Sequence, residues 1–211
     1  MNRRARGIPH TSQATAFPLG GIGTGNVSIG SYSNLFTVAT AFGQGLDVDG
    51  NGTYSATTDG LLAIPAAVTE AWRAAGADVT ALSRVSIEIA DLDGALLAHT
   101  VLGDQTVVRV DVNAAGHGWF VDATPGQSEE FVRTGGLLAA RIGQAQGIDL
   151  ASVLAHEFGH VLGVGHAEGP RALSSVMGAY LVAGERRLPE AADLQLGAAV
   201  PGCGLRRARP R

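Results

Sequence analysis

The chain has 211 residues, 45% of them apolar and 16% charged, with 30 glycines, 8 prolines and one cysteine. That is length enough to bury a core in one domain with an extension, and it excludes wholesale disorder. The lone Cys203 excludes an intrachain disulfide framework and any cysteine-rich zinc module. Seven of the 15 arginines sit in the two end segments and there is no lysine, so residues 7–205 set 8 arginines against all 19 acids, a net of −11. An acidic body of this kind argues against a nucleic-acid partner and suits bound cations.

Arg3, Arg4 and Arg6 carry the charge of a secretory leader, but Pro9, His10, Ser12 and Gln13 interrupt the apolar stretch that should follow. No signal peptide is therefore read from this chain. No stretch approaches the roughly 18 apolar residues that span a bilayer. The arginine-rich ends are expected to be frayed and solvated.

Residues 1–34 are rich in Gly, Ser, Thr and Asn and read as a loop or weakly structured lead-in. Gly23-x-Gly25 lacks the strand before it and the helix after it that a nucleotide loop needs. A short apolar run at residues 35–42 leads into Asp47-Val48-Asp49-Gly50-Asn51-Gly52-Thr53. This segment has the first half of an EF-hand calcium loop. Asp47, Asp49 and Asn51 supply oxygens at positions one, three and five, glycine stands at six, and Thr53 supplies a backbone carbonyl at seven. Position twelve is Thr58, with Asp59 one step beyond, where the closing carboxylate is expected; the pattern resembles variant calcium loops of bacterial extracellular proteins. The alternative is a solvated turn built on Asp and Asn side chains.

Residues 64–75 read as an amphipathic helix with Pro65 in its first turn. Val85, Ile87 and Ile89, and later Val108, Val110 and Val112, alternate with polar or small residues as half-buried strands do. Residues 96–102 and 119–122 are weaker strand candidates. Residues 123–147 suggest only a helical turn near 137–142. Asp149 offers an N-cap to a helix over 150–162, which Gly163 ends, and a last short helix is expected from Pro189. Helices beside a mixed sheet predict an α+β domain over residues 60–198, preceded by a lead-in (1–59) and followed by a basic tail (199–211).

Three of the six histidines fall within eleven residues. On a helix, His156 and His160 lie one turn apart on one face, as two metal ligands must. The turn at Gly163 lets the chain double back, so that His166 joins them. Three neutral imidazoles with a fourth position open to water describe a catalytic zinc site. Glu157, about 100° round the helix from His156, is placed to reach that water rather than the metal. It is also the only charged residue over 150–164, and a buried carboxylate without a partner costs several kcal/mol. At this chain's residue frequencies the whole His-Glu-x-x-His-x-x-Gly-x-x-His pattern arises by chance with odds on the order of a few in 10⁵, which disfavours ordinary core histidines.

The segment from His156 to His166, followed by Ser174-Ser175-Val176-Met177-Gly178, resembles the signature of the metzincin zinc metalloproteases. The flanking segments, Gly118-Trp119-Phe120-Val121-Asp122 among them, resemble matrixin-like domains of bacterial secreted or surface proteins. The resemblance implies a twisted mixed sheet, an active-site helix and a small C-terminal subdomain below the cleft. It also implies a zinc-dependent endopeptidase in an extracellular or cell-surface setting. Zinc would be held by His156, His160 and His166, with Met177 as the hydrophobic floor beneath, and Glu157 would activate zinc-bound water against a peptide bond. A peptide or protein substrate would add to an exposed edge strand, near 107–112 or 119–121. Some relatives place a tyrosine two residues after the methionine; here Ala179 stands there and Tyr180 follows. The competing reading is a non-catalytic calcium- and zinc-binding module of a surface protein. Cys203 follows the domain rather than preceding it, which suits an ordinary thiol better than a ligand that silences the zinc.

Overall fold

The structure, a computed structural model, describes residues 26–29, 32–37, 58–198 and 204–207. Strands β1 (Asn26–Ile29) and β2 (Tyr32–Thr37) form an antiparallel hairpin. Helix α1 spans Thr58–Ala74, so it begins six residues earlier than its pattern predicts and places Pro65 in its interior. An interior proline costs about 3 kcal/mol. Against this, Ile64, Val68 and Trp72, spaced one turn apart, are all buried, and each such side chain returns about 1.5–3 kcal/mol. The apolar stripe therefore outweighs the proline.

Strands β3 (Val85–Ala90), β4 (Ala98–Val101) and β5 (Thr106–Asp111) form a mixed sheet in the order β3-β5-β4. β3 runs parallel to β5, with Ile87 beside Val108, and β4 runs antiparallel to it, with Thr100 beside Val108. The predicted alternation holds in β5, where Val108 and Val110 are buried while Arg109 faces solvent and pairs with Glu88 at 3.1 Å, but not in β3, where Val85, Ser86 and Ile87 are all buried and Ile89 only partly so; Val112 lies past the end of β5.

The remaining strands form separate small sheets. β6 (Trp119–Phe120) runs parallel to β9 (Ile148–Asp149), and a three-stranded sheet has the order β11-β8-β7. Its members are β7 (Phe131–Thr134), β8 (Leu137–Ala140) and β11 (Glu185–Arg186). The helical turn expected near 137–142 is therefore a strand. The reason is the connection, where Gly135 and Gly136 adopt φ of 58° and 91°. Positive φ at both positions makes the tight turn whose twist suits a two-residue hairpin.

Helix α2 (Leu150–Val161) follows β9 directly, with Asp149 as its N-cap through a 3.1 Å bond accepted from the Ser152 N–H. Residues 150–160 are buried on every side. Gly163, at φ 85°, turns the chain back as predicted. α1 packs across α2, and the Trp72 indole N–H donates to the Ala155 carbonyl at 2.9 Å.

No helix starts at Pro189; there is only a 3-10 turn at Asp193–Gln195. The Asp193 carboxylate accepts from the Glu190 N–H (2.8 Å) and the Ser175 hydroxyl (2.6 Å), and side-chain bonds of this kind compete with helical ones. The chain's last described piece is also ordered, contrary to the frayed end expected. β10 (Tyr180–Leu181) runs parallel to β12 (Arg206–Arg207), and Leu205 is buried. Among the described residues no helix is long and apolar enough to cross a membrane.

Candidate metal centre

His156 and His160 project from one face of α2, and His166 reaches them from the loop beyond Gly163. Their three Nε2 atoms stand 3.0, 3.1 and 3.2 Å apart. The tautomers follow from the neighbours. His156 Nδ1 lies 2.8 Å from the Val176 carbonyl and His160 Nδ1 lies 2.9 Å from the Val164 carbonyl. A carbonyl can only accept, so both Nδ1 atoms carry protons and both Nε2 atoms present lone pairs.

Lone pairs converging at 3.0 Å repel one another unless a cation lies among them. Protonation is a poor remedy, because burial and the neighbouring imidazoles hold His156 well below the usual histidine range. Burial likewise lowers His160 to about 4 and lowers His166. Nitrogen ligands about 2.0–2.1 Å from a tetrahedral zinc stand about 3.3–3.4 Å apart. The trio is close to that spacing, so its donor set and arrangement suit the metal. Among the described residues it is the one grouping of three or more histidine, cysteine or carboxylate side chains that could hold an ion.

Met177 is fully buried beside the same helix. A Cβ built on Gly159 would stand 2.3 Å from Met177 Sδ and 2.9 Å from Trp72 Cζ2, so glycine between the two ligands makes room for both side chains. The methionine turn is fixed by a relay. The Met177 N–H donates to Ser175 Oγ at 3.0 Å, and the Ser175 hydroxyl donates to Asp193. The preceding carbonyl, of Val176, is the one that orients His156.

Glu157 is fully buried, and where the sequence reading looks to a metal-bound water as partner of the buried carboxylate, the structure supplies protein partners. The Thr100 hydroxyl donates to Oε2 at 2.8 Å, and the Leu205 N–H donates to Oε1 at 3.1 Å. Burial pushes the carboxyl up to about 7, against the downward pull of these two bonds.

Two contributors were not read from the sequence. Thr100 stands on β4 two residues after Ala98, so the alternation of the strand turns it inward; a lone hydroxyl on that face was the available signal. Arg186 is fully buried and braces the start of α2. Its Nε and Nη2 donate to Asp149 at 3.0 and 2.8 Å, and Nη2 forms an ion pair with Asp122 at 2.7 Å. The guanidinium lies 4.3 Å from the Phe131 ring centroid. Burial alone would lower Arg186, but the bonds to and charges of Asp149 and Asp122 more than reverse this and hold it raised.

The other expected positions fall elsewhere. Asp47, Asp49, Asn51 and Thr53 lie outside the described residues, as does Cys203, and Asp59 is described only as backbone in the first turn of α1. Tyr180 is 58% exposed. β5 cannot receive a substrate strand at 107–112, because β3 and β4 occupy both of its edges.

The histidine helix, the methionine turn and the sheet all lie within residues 72–193, which match the Matrixin (peptidase M10) family model. The chain belongs to the matrixin family. No curated protein and no solved structure matches this matrixin. Membership supports a metallopeptidase-type hydrolase with zinc as its metal and a peptide as its substrate, and it covers more than half of the chain.

Proposed function

We propose that this matrixin is a zinc-dependent endopeptidase in which His156, His160 and His166 hold the metal and Glu157 is the catalytic base. The observation that carries the reading is the convergence of three Nε2 atoms within 3.2 Å, two of them fixed as unprotonated acceptors by their Nδ1 bonds. When bound, zinc acidifies a water and polarises the carbonyl under attack. Glu157 takes a proton from the attacking water and passes it to the departing amine, so no covalent nucleophile on the protein is required. Thr100 orients the carboxylate for both transfers. Met177 and the turn around it form the floor of the site and keep His156 aimed, and the segment after the turn serves as the lower wall of the cleft.

Calcium on Asp47, Asp49, Asn51, Thr53 and Asp59 is a separate part of the proposal and rests on the residue pattern of that loop. Work outside the cell rests likewise on resemblance. A non-catalytic module is disfavoured by family membership and by the retained glutamate. The direct test is cleavage of an unfolded protein by the zinc-loaded chain, with and without a chelator. Chelator-sensitive cleavage is expected, and cleavage indifferent to the chelator would sink the reading.

A further inference from the structure

Segment 204–207 lies beyond the span that matches the family, yet it is built into the site. It runs as an extended strand between two stretches of backbone. On one side the Leu97 N–H donates to the Leu205 carbonyl at 2.9 Å, the Arg207 N–H donates to the Ala95 carbonyl at 2.9 Å, and Leu96 and Arg206 form an antiparallel bridge. On the other side the Arg206 N–H donates to the Ala179 carbonyl at 3.0 Å, and β12 continues parallel to β10. At the centre, the Leu205 N–H ends on Glu157 Oε1.

The fit is close. Leu205 is 2% exposed, and a Cβ on Gly204 would stand 2.4 Å from the Ala98 carbonyl oxygen and 2.7 Å from His99 Cβ. Strand addition of this kind is how an extended peptide docks on a sheet edge. The occupied edge is the one just before and along β4, whose other edge pairs with β5. Any peptide that Glu157 helps to cut must bring its backbone to that same carboxylate.

We propose that residues 204–207 are an autoinhibitory strap that fills the substrate groove of this matrixin and withholds Glu157 until the strap is displaced. The inference rests on the endopeptidase reading. It assigns that site an intramolecular occupant, with Gly204 and Leu205 as the residues that seat it. The arginines at 206, 207, 209 and 211 add long-range attraction, since the body of the chain is strongly acidic.

The test uses the full zinc-loaded chain with a specific cleavage site inserted between residues 199 and 200, assayed before and after cutting and removal of the released piece. A strap closed for about nine-tenths of the time lowers apparent substrate affinity about tenfold, so kcat/KM should rise about tenfold or more on release. A synthetic peptide of residues 200–211 should restore the inhibition, and the same peptide carrying Gly204→Val should not. In the uncut chain, Gly204→Val should raise activity while thermal melting shows the domain still folded. Equal activity before and after release would overturn the strap. Binding of a labelled 200–211 peptide to the cut chain, read by fluorescence anisotropy, decides independently of catalysis. If neither form cleaves anything, the endopeptidase reading fails, while saturable binding lost with Gly204→Val still upholds the strap, and no binding overturns it.

Discussion

Replacing Arg186 with methionine tests how the zinc helix is anchored. The guanidinium is fully buried and touches Asp149 through two bonds, Asp122 through an ion pair, and the Gln127 carbonyl at 2.8 Å. Methionine matches much of its volume but leaves Asp122 and Asp149, each 1% exposed, without a counter-charge. Breaking a buried pair from one side costs about 3–5 kcal/mol, chiefly because the remaining charge stays buried. For a domain of this size each kcal/mol lowers Tm by about 2–4 °C, so a fall of about 6–20 °C is expected. Arg186→Lys keeps the charge but loses the two-pronged geometry, and should fall between the two. Calorimetry of the metal-free proteins is the assay. An Arg186→Met protein melting within about 2 °C of the parent, on that same scale, would refute the claim that this cluster fixes the N-terminus of α2.

Gly159→Ala should destabilise the domain by about 1–3 kcal/mol in denaturant titrations, because the new methyl group meets Met177 and Trp72 at sub-contact distances; an unchanged midpoint would contradict the packing described. In the metal-free chain the histidines should withdraw stability as pH falls below 7, opposed in the same window by Glu157, whose carboxyl is pushed up to about 7. His156 and His160 bind protons less readily when folded than when unfolded, so the stability they add is present above the ordinary value of 6.5 and is lost as pH drops toward about 4 for His160. His160→Ala should flatten that dependence between pH 7 and pH 5, and an unaltered profile would assign it to other groups. Isothermal titration of the zinc-saturated chain should show a further calcium site, abolished by Asp47→Ala with Asp49→Ala; heats indistinguishable from buffer would remove calcium from the account.

The parts of the fold that could be read from sequence were those whose signals are local. The period-two runs at Val85 and Val108, the Asp149 cap, the end of α2 at Gly163 and the histidine spacing each need only neighbours within a turn or a strand. Pro65 by itself marks a first helical turn; the burial of Ile64, Val68 and Trp72 that carries the helix past it is set by tertiary packing. The hairpin over β7 and β8 carries its turn signal in Gly135-Gly136, but Leu137-Leu138-Ala139-Ala140 has no alternation to separate strand from helix. The bracing by Arg186 and the pairing of Leu205 with Glu157 join residues 37 and 48 positions apart. Nothing in the local pattern marks such partners; only the packed fold brings them together.

The central claim is that a glutamate beside a three-histidine zinc site performs peptide hydrolysis. It is tested most directly by Glu157→Gln in the chain with its strap released, scoring bound zinc by native mass spectrometry and cleavage of an unfolded protein side by side. The amide keeps the size of the side chain but cannot take a proton, and loss of general acid–base catalysis costs about 10²–10⁴-fold in rate. The account predicts one zinc per chain in both proteins and cleavage in the parent alone. Cleavage by Glu157→Gln at the parental rate would contradict it.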